Sequence, residues 1–146
     1  MGVRKGRKRS KVRKLTSGPF IVPVSVDGTR KGAVESLLIG FKNVSTRRST
    51  VKVSVLVCRE RVLYPETPPE IKIFKRKVTI PAGDCAFLRV NSGPRTFRGD
   101  NMLRVVIEGD TAKDAKAIVA TLSGRTADGR LAPSMVVKHG DFIEAK

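Results

Sequence analysis

Between positions 50 and 57 every odd residue is valine (Val51, Val53, Val55, Val57), while Thr50, Lys52 and Ser54 between them are polar. Side chains of a β-strand point alternately to its two faces, so a period of two predicts a strand with one buried and one solvated face. Valine is stiff about its first side-chain torsion and suits a pleated surface better than a helix. A strand of this kind is stable only when a second layer covers its apolar side.

β-Rich segments also occur at residues 20–26, 34–42, 71–80, 86–90, 102–108, 116–122 and 135–138, which makes eight predicted strands. Asp27-Gly28, Pro81-Ala82-Gly83-Asp84, Gly109-Asp110 and Asp128-Gly129 stand between them and supply the backbone conformations that turns require. Pro23 removes a ladder donor, so the first strand is expected at an edge or with a bulge. In 71–80 the inward phase slips from Ile71 and Ile73 to Val78 and Ile80, which predicts an inserted residue near 74–77. Residues 110–120, with several alanines, are the only stretch that could hold a helical turn; a loop followed by a strand is expected there. Short strands at spacings of about ten residues predict an all-β fold, a single antiparallel β-sandwich of seven or eight strands, immunoglobulin-like or jelly-roll.

Charge divides the chain differently. Of 30 Lys and Arg residues, eight (Arg4, Lys5, Arg7, Lys8, Arg9, Lys11, Arg13, Lys14) fall within the first fourteen positions, and the first acid is Asp27. The other 22 basic residues face 13 acidic ones, so the rest of the chain keeps +9 of the total of +17. A tract this cationic and without apolar periodicity repels itself and is expected to be disordered. Thr16-Ser17-Gly18-Pro19 then reads as a hinge. The expected division is a basic arm and hinge over residues 1–18 and a sandwich over 19–146.

The charge also points to a partner. Lys and Arg that replace condensed counterions on a nucleic acid bind its phosphates without reading sequence. Arg47-Arg48 and Lys75-Arg76-Lys77 form a possible secondary basic patch. With no Trp and Tyr64 as the single tyrosine, base stacking on an aromatic platform is not expected.

Catalytic chemistry is poorly supplied. His139 is the single histidine and reads as a solvated turn residue; no nucleophile elbow, zinc-protease helix, Walker loop or dinucleotide fingerprint is present. Glu108 and Asp110 flank Gly109, where exposed acids are ordinary. Neither catalytic residues, cofactor, metal nor small-molecule substrate is expected. Cys58 and Cys85 lie on the phase opposite the core residues; free thiols, an intramolecular bridge and an intersubunit bridge all remain open. Asn43-Val44-Ser45 matches a glycosylation sequon by chance in a turn. No apolar run reaches the length of a membrane span and no signal peptide is evident. Synthesis in the cytoplasm is expected, with a particle, spore or cell surface as final location.

Asn43-Val44-Ser45, the valine alternation, Val78-Thr79-Ile80-Pro81-Ala82-Gly83 and Leu88-Arg89-Val90 together resemble the immunoglobulin-like modules of bacterial surface and adhesion-type proteins. A sandwich with an N-terminal connector also resembles the fibre subunits of bacterial spore appendages, although those connectors carry cysteines and this tract has none. A basic arm before an eight-stranded sandwich is similar to the coat subunits of small icosahedral viruses. These resemblances imply a non-catalytic structural subunit that self-assembles into a homo-oligomeric fibre, coat or shell, with segment 20–26 completing a neighbour's sheet edge. The alternative is a nucleic-acid-packaging protein whose arm binds RNA or DNA.

Overall fold

The computed structural model describes residues 13–112 and 114–145. The fold is all-β, two antiparallel sheets packed face to face. Ten strands are defined among these residues: β1 Arg13–Thr16, β2 Phe20–Ile21, β3 Val34–Asn43, β4 Ser49–Cys58, β5 Ile71–Ile80, β6 Cys85–Asn91, β7 Met102–Gly109, β8 Ile118–Thr126, β9 Leu131–Val137 and β10 Ile143–Glu144. The first sheet has the order β10-β1-β7-β4-β5, with β2 also paired to β7; the second has the order β6-β3-β8-β9.

The core lies between the sheets. Val51, Val53, Val55 and Val57 of β4, with Leu103, Val105 and Ile107 of β7, meet Leu37, Ile39 and Phe41 of β3 and Ile118 and Leu122 of β8. All are buried, as the alternation required. Phe97 and Phe142 close the core from loops rather than from strands.

Several expectations are corrected. Arg13, Lys14 and the supposed hinge belong to the domain: β1 lies between β7 and β10, and Leu15 is buried in the core. β1 and β2 are two halves of one ribbon beside β7, offset by one residue. Ser17 bridges them: its N–H donates to the Val105 carbonyl (2.9 Å), and its hydroxyl accepts from the Val105 N–H (3.0 Å). Segment 20–26 is a strand only over Phe20–Ile21. Val22 closes a turn with Asp100 and Asn101, and pairing stops before Pro23. Phe20–Val22 thus pair within their own sheet. The bulge in β5 falls at Ile73, since Val55 opposes Phe74 and Leu56 opposes Lys72, one residue before the expected stretch. Ile71, expected inside, is exposed at the end of that edge strand. β8 begins at Ile118, after the loop expected there.

Candidate nucleic-acid interface

The outward side chains of the first sheet follow from its register. Lys14 opposes Glu108, Glu108 opposes Lys52, and Lys52 opposes Lys77, one row across four strands. Adjacent strands lie about 4.8 Å apart, so the row spans about 14 Å. The next row is Thr16, Val106, Ser54 and Lys75; the next contains Arg104, Leu56 and Lys72. The hydrogen bond between the hydroxyls of Thr50 and Thr79 (2.9 Å) confirms that these alternate positions of β4 and β5 share a face.

Only one of these cations is neutralised by a carboxylate. Arg104 donates two hydrogen bonds to Glu70 (2.9 and 2.7 Å), a bidentate pair that holds the Glu70 carboxyl below its ordinary range and raises the guanidinium. Lys14, Lys52, Lys72, Lys75 and Lys77 have no ion pair among the described residues. The row's single acid is Glu108. The face therefore presents ammonium groups without carboxylate partners on an ordered sheet, an arrangement suited to phosphates rather than to base edges.

The pleat divides the predicted patch. Lys75 and Lys77 face outward, whereas Arg76 takes the opposite phase, its guanidinium carbon 5.9 Å from the Phe74 ring centroid. Arg47 and Arg48 are exposed in the turn before β4. That turn lies at the end of the first sheet where β1 begins, since Arg13 opposes Gly109 and Gly109 opposes Val51. Of the eight N-terminal cations, Lys14 is thus set on this face, whereas Arg13 takes the opposite phase, in register with Gly109 and Val51, and lies 4.0 Å from Glu144. Arg4, Lys5, Arg7, Lys8, Arg9 and Lys11 lie outside the described residues and join the face covalently at Arg13. Lys14 and Lys52 were missed as members of one patch, because only the pairing register brings them beside Lys77.

His139 is not a solvated turn residue. It is half-buried in a single 3-10 turn, His139–Asp141, and its Nδ1 accepts from the Ala120 N–H (3.1 Å) while its Nε2 lies 2.7 Å from the Ala112 carbonyl. An amide must donate and a carbonyl must accept, so Nδ1 is the acceptor and Nε2 the donor. Both nitrogens are committed to backbone. Glu108 faces Lys52, whereas Asp110 accepts from the Thr50 N–H (2.8 Å), so these acids do not form a pair directed at one ligand. Among the described residues no cluster of three or more His, Cys, Asp or Glu could hold a metal ion. Cys58 is half-buried on β4 and Cys85 exposed on β6, and the two are not bridged. The Asn43 amide is buried and bonded to the carbonyls of Arg47 and Ile80 (2.8 and 2.9 Å), a structural role for the sequon asparagine. No helix among the described residues is long and apolar enough to cross a membrane.

No family model and no curated protein matches the chain. Among solved structures, a Thermotoga maritima protein designated 1070 is 14% identical, with 79% of this chain and 81% of that one covered at a TM-score of 0.42. The Anabaena sensory rhodopsin transducer is 12% identical, with 76% and 94% covered at a TM-score of 0.41.

Proposed function

We propose that this chain is a non-catalytic nucleic-acid-binding protein that holds phosphate backbones without sequence specificity. The observation that carries the reading is the lysine face of the first sheet, unpaired and joined at β1 to the N-terminal basic tract. Lysines on flexible stems contribute through counterion release, which makes affinity steeply salt-dependent. Both ring nitrogens of His139 are bonded to backbone groups, which supports a binding role over a catalytic one.

The test is fluorescence anisotropy with an arbitrary-sequence DNA duplex across a salt series. With roughly seven to ten phosphate contacts, the plot of log K against log salt should have a slope of about −6 to −9. Deleting residues 1–12 removes six cations and should flatten it by up to about 5. Binding that is absent at low salt, or insensitive to salt, refutes the proposal.

Assembly from copies of this chain is a second reading, supported by the unpaired edge strand β6. Its Phe87 is 69% exposed, beside Cys85 and over the surface left open by Gly40. Light scattering after nuclease treatment separates the two: polymers that persist without nucleic acid support assembly, and monomers at every concentration refute it.

A further inference from the structure

The outer face of the second sheet carries a cleft of about 570 Å³ between β6, β3, β8 and the turn after β8. This volume is in the range of small-molecule sites. Its floor is Ser36 and Leu38 of β3. Arg89 of β6 opposes Leu38 on one side, and Arg125 of β8 opposes Ser36 on the other. Both arginines thus line the same cleft from strands that flank β3.

The sequence builds this cleft with a local irregularity. Val34 opposes Thr126 and Ser36 opposes Arg125, so Glu35 is an extra residue in β3. A bulge of this type re-aims side chains, and here Glu35 lines the same cleft as Ser36. Arg125 is held by its Nε donating to the Ser123 hydroxyl and its Nη1 to the Gly129 carbonyl, both at 3.3 Å. Arg89 has no side-chain hydrogen bond or ion pair among the described residues.

The floor supplies a second observation. Ser36 is nine-tenths buried, and its hydroxyl has no hydrogen-bond partner among the described residues. The other buried polar side chains, those of Thr16, Asn43, Ser49, Thr111 and Thr126, all have one. The Ser36 hydroxyl on the cleft floor therefore has hydrogen-bonding capacity that a ligand seated in the cleft can take up.

We propose that this cleft binds the phosphate group of a small phosphate monoester. Arg89 and Arg125 would clamp the phosphate oxygens, the Ser36 hydroxyl would donate to one of them, and Glu35 would accept from a hydroxyl or amine on the rest of the molecule. The site is on the sheet opposite the lysine face and does not depend on nucleic-acid binding.

The test is a backbone-amide NMR titration of the full chain at about 0.15 M salt, with inorganic phosphate, adenosine monophosphate and adenosine as probes. The phosphate-bearing probes should produce saturable shifts at Ser36, Leu38, Asn91 and Gly129. Arg89→Gln and Arg125→Gln should each weaken adenosine monophosphate about tenfold or more. Ser36→Ala should weaken it several-fold while raising Tm, the opposite of what a merely structural serine would show. Shifts that adenosine produces equally, the absence of saturable shifts in the cleft, or binding that survives both arginine substitutions would overturn the proposal. DNA retention by the arginine variants should be unchanged, which separates this outcome from the function proposed above.

Discussion

His139→Ala offers a quantitative test of how the second sheet ends. β8 and β9 pair Leu122 with Val137, so the residue due opposite Ala120 is His139. The backbone there has already turned into the 3-10 conformation, and the imidazole takes the place of the missing strand partner. Nδ1 receives the Ala120 N–H, and Nε2–H reaches across to the Ala112 carbonyl in the loop before β8. Truncation removes two hydrogen bonds worth about 1 kcal/mol each and leaves the amide of buried Ala120 without an acceptor, for roughly 2–4 kcal/mol in total. With a urea m-value of about 2 kcal/mol/M, the midpoint should fall by roughly 1–2 M. His139→Asn can present an amide oxygen near the Nδ1 position and should recover about half of the loss. A His139→Ala midpoint within about 0.25 M of the parent, the range of an ordinary surface change, would refute the bridging role.

Three further outcomes are expected. Leu15→Ala should cost about 2–4 kcal/mol in urea unfolding because Leu15 fills the core from β1. Gly109 has φ +128°, and a Cβ there would lie 2.6 Å from the Thr50 carbonyl; Gly109→Ala should therefore cost at least ~2 kcal/mol, measured the same way. Asp27 accepts from Thr29 and Arg130, and Asp128 from Thr126 and Arg130, so both carboxyls are held below the ordinary range. A depressed carboxyl stabilises the fold above its unfolded pKa and loses that contribution as pH falls through the folded value. The midpoint difference between the parent and Asp27→Asn should thus be full near neutrality and shrink below about pH 4.

The sandwich was legible where burial leaves a local period. The β4 valines announce their strand because all four enter one core face, and the stretches around β3, β7 and β8 do so with less regularity. β1 was not legible: Leu15 is the sole apolar residue of Arg13–Thr16, and the surrounding charge resembles the tract before it. Phe97 and Phe142 act as single plugs from loops, and one aromatic has no period to read. The interface was half legible. Runs such as Lys75-Arg76-Lys77 are visible in the chain, but the pleat removes Arg76, and long-range register adds Lys14 and Lys52. The cleft was hidden altogether, because it depends on the bulge at Glu35 and on strands more than thirty positions apart being laid side by side.

The most direct test compares two charge reversals of equal size. Lys52→Glu/Lys75→Glu/Lys77→Glu alters the outer face of the first sheet, and Arg95→Glu/Arg98→Glu/Lys138→Glu alters exposed cations elsewhere. DNA anisotropy across a salt series should show the first triple variant flattening the slope by about 3, and the second leaving it close to the parent. Equal losses from both would show that bulk charge, not the lysine face, holds the nucleic acid.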